Sequence, residues 1–148
     1  NEYLRVFANY GTLDASYKGF FTDINESDGV TKIESADFLT PRFAPEESWG
    51  VGGTLSVPAG QGTVDVFGKF SVIGEQETNL LNAELARAPE IDNLTASIGY
   101  YTDNWSLVLY GSNLTDEQYE VVDPIMPLFA IGTINEGRRF GVELSARF

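Results

Sequence analysis

Asn93-Leu-Thr-Ala-Ser-Ile-Gly-Tyr-Tyr101 and Trp105-Ser-Leu-Val-Leu-Tyr-Gly-Ser112, joined by a three-residue turn, decide the fold of this chain. The first stretch alternates apolar residues with small or polar ones, as expected of a β-strand. The final stretch, residues 137–148, repeats the pattern with alternate residues on opposite faces. A slip of one residue would bring charge onto the apolar face, so the register is strongly specified. We therefore predict a tight hairpin, a long polar connection and a closing strand.

The same alternation extends the prediction to an all-β, antiparallel chain. Six segments have the pattern or the β-branched and aromatic content of strands. In the segment that begins at Trp105, the consecutive apolar residues 107–109 leave the facing undecided. The predicted strands are residues 3–17, 47–57, 63–74, 92–101, 104–113 and 137–148.

The predicted connections alternate between short and long. Residues 58–62 and 102–103 form short turns, whereas residues 18–46, 75–91 and 114–136 form long connections that we predict to be irregular. Of the 22 acidic residues, 17 lie in residues 19–47, 75–92 and 114–136, so charge separates the connections from the strands. Short turns at one end and long loops at the other are typical of a transmembrane β-barrel.

The composition excludes several classes of function. The chain has no cysteine and no histidine, which excludes disulfides, thiol chemistry and the usual hydrolase triads. A net charge of −13 argues against a nucleic-acid partner. No apolar run reaches the ~20 residues of a transmembrane helix, but barrel strands need only ~9–11. Because the sequence starts with Asn1 and shows no signal peptide, we expect a processed chain or a fragment.

Aromatic residues lie near the predicted strand ends, where a belt at a membrane interface would place them. The same residues would also suit cross-strand pairs in the core of a soluble β-sandwich. The aromatic residues concerned are Trp49, Tyr100, Tyr101, Trp105, Tyr110, Tyr119 and Phe148.

One element after the hairpin resembles a known family. Asn113-Leu-Thr-Asp-Glu-Gln-Tyr119 resembles the Asn-Leu-Thr-Asp-x-x-Tyr element near the C-terminus of TonB-dependent outer-membrane receptors. Residues 137–148 resemble the final strand of these receptors, which opens with Gly-Arg and ends on Phe. Pro41-Arg-Phe-Ala-Pro45 resembles a segment that enters one of their late strands. The match is specific for the last 56 residues, and residues 1–40 match only as a generic strand and loop.

The resemblance implies that residues 1–148 are the C-terminal part of a receptor barrel, about six strands of a transmembrane barrel of 22. Such receptors lie in the bacterial outer membrane and import scarce nutrients, such as siderophores, cobalamin or carbohydrates, with energy from TonB. The plug domain, the earlier strands and the segment that contacts the TonB complex would lie outside this sequence. The implied partners are membrane lipid and lipopolysaccharide, the rest of the barrel and its plug, the TonB complex and the barrel-assembly machinery. No cofactor, metal or catalytic residue is implied.

The resemblance also assigns roles to particular residues. Asn113, Leu114, Thr115, Asp116 and Tyr119 form the family element, whose Asn and Asp we expect to bond nearby backbone and shape the turn. Phe140, Val142, Leu144 and Phe148 would form the signal read by the assembly machinery, although an ordinary terminal strand would look the same. Candidates to face the barrel lumen are Asp65, Lys69, Arg139, Glu143 and Arg147.

Other interpretations remain open at this point. A soluble β-sandwich or small barrel that binds a ligand or a protein would show the same alternation, with its apolar faces packed together. A standalone membrane barrel of six strands would have to oligomerise, because single-chain barrels start at eight strands. Carboxylate pairs at Glu46-Glu47, Glu75/Glu77 and Asp116-Glu117 suit acid/base chemistry, but we predict them to be solvated loop charges, and we expect no enzyme.

Overall fold

The computed structural model describes residues 3–24, 29–82, 86–126 and 129–147, and these residues are all-β. Six long strands form one antiparallel sheet: β1 (Leu4–Thr12), β4 (Glu47–Ala59), β5 (Gly62–Ile73), β8 (Ile91–Tyr101), β9 (Trp105–Ser112) and β12 (Arg139–Ala146). Each strand pairs with its neighbours in this chain order. The six predicted strands are confirmed, with β1 ending five residues earlier than predicted.

The three long connections were predicted to be irregular, and this prediction is wrong, because each contains a two-stranded antiparallel hairpin. These hairpins pair β2 (Phe21–Asp23) with β3 (Ile33–Ser35), β6 (Gln76–Glu77) with β7 (Arg87–Ala88), and β10 (Glu120–Met126) with β11 (Phe129–Ile134). Strands of two or three residues are too short to show periodicity. In β10, Pro124 and a register shift between Asp123 and Met126 interrupt the pattern.

The two short turns lie at the end of the sheet opposite the long connections. The first is Gly60-Gln61, shorter than predicted, because Pro58 and Ala59 still pair with β5. Gly60 has a φ of 60°, a conformation that glycine adopts without steric cost. In the second turn, the hydroxyl and the amide of Thr102 both donate to the carbonyl of Trp105, each at 2.9 Å. The sheet thus has a turn end and a loop end.

The register gives the sheet an apolar face and a polar face, because directly opposed residues of antiparallel strands point to the same side. We call a set of directly opposed residues across the six strands a row. One row consists of the apolar residues Leu4, Leu55, Val66, Ile98, Leu109 and Val142. In β9 this places Trp105, Leu107 and Leu109 on the apolar face and Val108 on the other, which settles the facing that the sequence left undecided.

The apolar face is exposed to solvent along its length. The buried apolar side chains of the described residues are Ala36, Leu39, Val72, Ala86 and Ala88, and four of these five lie in the long connections. No second layer covers the sheet in the part of the chain that the structure describes. The exposed large side chains of this face are Leu4, Val6, Tyr10, Trp49, Val51, Leu55, Val57, Val66, Ile98, Trp105, Leu107, Leu109, Phe140, Val142 and Leu144.

Glycines on the polar face make room for aromatic rings from the same or the neighbouring strand. A Cβ atom at Gly141 would overlap the ring of Tyr110, its partner across the β9–β12 pair. Phe7 lies in the same way over Gly52, and Tyr101 lies over Gly99. Tyr101 and Tyr110 therefore lie on the polar face. A belt of aromatic residues around the apolar face would require them on the apolar face, so they are not part of such a belt.

Gly141→Ala is expected to destabilise the sheet by about 1–3 kcal/mol, because the methyl group would overlap the Tyr110 ring. Gly68→Ala is the matched control, since no atom lies within 4 Å of the position of its added Cβ. Equilibrium unfolding of both variants measures the difference. Equal stability of the two variants would contradict the overlap, and Tyr110→Ala should relieve it in the double variant.

Candidate functional site

The resemblance element lies at the loop end of the sheet, where Asn113 holds together both ends of the third long connection. Its amide nitrogen donates to the carbonyls of Glu117 at 2.8 Å and Glu136 at 3.1 Å. Its amide oxygen accepts from the backbone N–H of Glu117 at 3.0 Å. The side chain is 8% exposed, and the φ of 50° is one that asparagine tolerates better than most residues. Asn113 therefore shapes this turn through backbone contacts.

Asp116 and two later residues extend the closure. Asp116, with a φ of 61°, accepts from the backbone N–H of Arg138 at 3.0 Å and forms an ion pair with its guanidinium at 3.2 Å. Asn135 accepts from the backbone N–H of Tyr119 at 2.9 Å and donates to the carbonyl of Glu117 at 2.9 Å. We call Asn113, Asp116, Asn135 and Arg138 the clamp, because together they close the base of the third connection.

Leu114 and Thr115, which also belong to the element, both contact β8. The backbone N–H of Leu114 donates to the carbonyl of Leu94 at 2.9 Å. The hydroxyl of Thr115 is 3.3 Å from Asp92 Oδ1. The element therefore fixes the third connection to the sheet as well as closing it.

The predicted assembly-signal residues lie on β12, an edge strand of the sheet. Phe140, Val142 and Leu144 point to the apolar face and are 75%, 67% and 72% exposed. Their exposure leaves them available to a partner or to lipid. Phe148 lies outside the described residues.

The predicted lumen residues share the polar face. Asp65 and Glu143 lie in one row, Lys69 and Arg139 lie at one level nearer the loop end, and Arg147 follows the end of β12. Arg139 pairs with Glu136, and the Arg147 amide donates to the carbonyl of Asn104 at 2.8 Å. Asp65 Oδ1 is buried without a hydrogen-bond partner among the described residues. The two faces thus differ in chemistry, as the alternation predicts.

An acidic cavity between the first and second long connections is the feature that sequence reasoning missed. Its volume is about 870 Å³. Five carboxylates and one guanidinium line it: Glu46, Glu47, Glu75, Glu77, Glu90 and Arg87. The sequence predicts that Glu75 and Glu77 are solvated loop charges, but this prediction is wrong for Glu77, which is only 6% exposed.

Burial of Glu77 follows from the β6–β7 hairpin. Glu77 Oε1 accepts from Arg87 Nε at 3.0 Å and from Nη2 at 2.7 Å. The carboxylate of Glu77 raises the pKa of Arg87 through these hydrogen bonds and through its charge, so the guanidinium stays charged at neutral pH. The pairing needs a turn that brings residues 77 and 87 together, and two-residue strands give no sequence signal for it.

The described residues do not show the geometry of a metal centre. No group of three or more potential ligands lies close enough to hold a metal ion in the part of the chain that the structure describes. Among those same residues, no helix is long and apolar enough to cross a bilayer. The arrangement suits binding by charge and hydrogen bonds at the loop end.

Comparison of the chain with protein-family models, with curated proteins and with solved structures found no match. The case for a function therefore rests on the residues and their geometry.

Proposed function

We propose that this chain is the C-terminal part of a transmembrane β-barrel in a nutrient receptor of the bacterial outer membrane. The receptor captures a scarce nutrient with its outer loops and imports it with energy from TonB. The observation that carries this proposal is the apolar face of the sheet, which is exposed across all six strands. In a barrel this face would lie against lipid, and the polar face would line the lumen beside the plug.

The size of the apolar face supports lipid as its environment. Six strands that each occupy ~4.8 Å and are about eight residues long at ~3.3 Å per residue give a face of roughly 760 Å². Soluble monomers rarely expose a contiguous apolar patch beyond ~300–600 Å². The longest strands, β4 and β5 with 13 and 12 residues, exceed the ~9–11 residues that span a bilayer.

Aromatic pairs at both ends of the apolar face add support. At the loop end, Trp49 pairs with Tyr10 in the register and lies 5.6 Å from Phe70 between ring centroids. At the turn end, Trp105 lies 5.4 Å from Tyr100. The rows between consist of aliphatic residues and glycine, apart from Phe140 on the edge strand β12. Girdles of aromatic residues around an aliphatic band are the pattern of barrels at the two membrane interfaces.

Hydrogen bonding at the sheet edges gives the third line of support. β1 pairs only with β4, and β12 only with β9, so each edge strand presents unpaired backbone groups within the described sheet. Unpaired backbone is costly in lipid, and a closed barrel removes it. The proposed partners are therefore the remaining strands of the barrel and its plug, with lipid and lipopolysaccharide outside. The assembly machinery would read β12, and TonB would contact a segment outside this chain.

The alternative is a soluble β-sandwich or small barrel that binds a ligand or protein. It requires the apolar face to be covered, either by a second copy or by another protein.

The intact mass of the native polypeptide, measured from purified outer membranes, tests the proposal. We expect a mass several times 16.3 kDa, with residues 1–148 at its C-terminus. A mass near 16.3 kDa, with a monodisperse monomer in detergent-free buffer, would overturn the receptor proposal and favour the soluble alternative.

A further inference from the structure

We propose that the polar face of the sheet binds an acidic oligosaccharide, whose sugar rings stack on aromatic side chains and whose carboxylates meet nearby cations. This inference rests on the proposed function, because it names the class of substrate that would pass along the lumen wall. Two neighbouring rows of the polar face carry it, and we call them the platform. One row consists of Arg5, Thr54, Phe67, Ser97, Tyr110 and Gly141, and the other includes Phe7, Gly52, Lys69 and Thr95.

The aromatic rings of the platform lie across glycines and do not stand away from the sheet. A Cβ atom added at Gly52 would lie 2.6 Å from Cζ of Phe7, so the ring occupies the space above this glycine. The ring of Tyr110 covers Gly141 in the same way. Phe7 is 40% exposed and Tyr110 is 50% exposed. The rings therefore cover the glycines and keep open surface on the side away from the sheet.

The rings form an extended surface across several strands. The centroids of Phe7 and Phe67 are 6.4 Å apart, and their planes differ by 18°. Nearly parallel rings at this distance are offset, so the two rings continue one aromatic surface from β1 over β4 to β5. Tyr110 lies in the same row as Phe67 but two strands away, a separation of roughly 10 Å. Aromatic positions so far apart suit a chain of linked rings better than a single ring.

The chemistry of the longer row matches sugar rings. The C–H bonds on the flat face of a pyranose carry a partial positive charge, and the face of an aromatic ring carries a partial negative charge. Thr54 is next to Phe67 in this row. Ser97 separates Phe67 from Tyr110. A hydroxyl group can donate and accept a hydrogen bond, as the hydroxyls of a sugar require. The row thus alternates the two kinds of contact that an oligosaccharide makes.

The charge of the platform is opposite to that of the chain. The chain has a net charge of −13, but the residues of the two rows include Arg5 and Lys69 and no acidic residue. Neither of these cations forms an ion pair within the described residues. Cations without a partner attract anions and form strong hydrogen bonds with carboxylates. The platform therefore favours an acidic sugar over a neutral one.

The charges beside the platform give the ligand an orientation. Asp65 and Glu143 lie in the next row toward the turn end. Lys69 lies on the other side of Phe67, toward the loop end. A ligand carboxylate is repelled by the first two residues and attracted by Lys69, so it points to the loop end while its sugar ring packs on Phe67. The loop end is the side of entry in the proposed receptor.

Calorimetric titration of the intact, detergent-solubilised protein with trigalacturonate, a chain of three uronic acids, tests the proposal. The methyl ester of trigalacturonate is the matched probe, because it keeps the sugar rings and removes the charges. We expect the acid to bind about tenfold more tightly than the ester, since hydrogen bonds to an ionised group are roughly twice as strong as neutral ones.

Substitutions separate stacking from charge. Phe67→Leu and Tyr110→Leu should each weaken the binding of both probes by about fivefold, because each removes a stacking ring. Phe70→Leu is the matched control: it makes the same change on the same strand, but Phe70 lies on the apolar face, so both affinities should stay unchanged. Lys69→Met keeps the length of the side chain and removes its charge. It should weaken the binding of the acid alone and bring it close to that of the ester.

Nitration of Tyr110 distinguishes a ligand from the plug as the group that covers the platform. Tetranitromethane should modify this ring in the intact protein without ligand, and trigalacturonate should slow the reaction. Tandem mass spectrometry locates the modified residue. If Tyr110 resisted nitration in the folded protein without ligand, the inference would be overturned, because the plug would already occupy the platform.

Three results of the titration would also overturn the inference. They are the absence of trigalacturonate binding to the folded protein, equal affinity for the acid and the ester, and a loss of affinity in Phe70→Leu equal to that in Phe67→Leu. The need for detergent, measured by gel filtration on the same preparation, tests the proposed function separately. A protein that requires detergent but does not bind trigalacturonate would leave the proposed function standing and would overturn only the binding of acidic sugars.

Discussion

Leu109→Arg is expected to lower the free energy of unfolding of the proposed receptor in phospholipid vesicles by about 2–4 kcal/mol, the cost of arginine at the midplane of a barrel. Leu109 lies in the central row of the apolar face, between Ile98 and Val142. If that face lies in lipid as proposed, the guanidinium loses its hydration and no acidic partner lies in the same row. Urea titration of the vesicle-bound receptor measures the change.

The neighbouring residue provides the control. Val108 points to the polar face, where its partners in the register are Gly99 and Glu143. Val108→Arg introduces the same side chain beside a carboxylate, so we expect a change within about 1 kcal/mol. Equal destabilisation by the two arginine substitutions would contradict a lipid environment for one face alone.

Asn113→Ala is expected to lower the free energy of opening of the third connection by about 4 kcal/mol. Three partly buried hydrogen bonds contribute ~1 kcal/mol each, and the φ of 50° adds about 1 kcal/mol of strain for alanine. Hydrogen exchange at the Glu117 and Tyr119 amides should become faster. The Glu117 amide donates to the Asn113 side chain, and the Tyr119 amide donates to Asn135, another residue of the clamp.

Two further substitutions separate the causes. Asn113→Gly removes the same hydrogen bonds but tolerates positive φ, so it should cost about 1 kcal/mol less than Asn113→Ala. Asn104→Ala, at the turn end of the sheet, should leave exchange in the third connection unchanged. If Asn113→Gly matched wild type, the hydrogen bonds of the clamp would have no role in closing the connection.

The six strands could be predicted because each is long enough to show a period of two. In β12, for example, Phe140, Val142 and Leu144 alternate with the polar or small residues Arg139, Gly141, Glu143 and Ser145. In β9, Leu107, Val108 and Leu109 give no alternation, and only the pairing with Ser97–Tyr101 and with β12 defines the faces. The register of β9 is determined by its pairing with β8 and β12, which the local sequence does not reveal.

The loop end could be predicted only in part. Asn113 and Asp116 belong to the residue types that bond backbone and tolerate positive φ, so their role in a turn was accessible from sequence. The cavity was not, because Glu77 is buried by contacts with Phe43 and Arg87, which are 34 and 10 residues away. Long-range contacts between connections of irregular composition leave no periodic trace.

If the sheet is part of the proposed barrel, the separation of its turn end from its loop end implies a direction of insertion. The two short turns carry one acidic residue, Asp103, whereas the three hairpin connections carry most of the negative charge of the chain. Moving these connections through hydrocarbon would cost far more than moving the turns, because charged groups are expensive there. In the proposed barrel, the turn end would therefore lead into the bilayer, and the acidic loop end would stay on the side of entry.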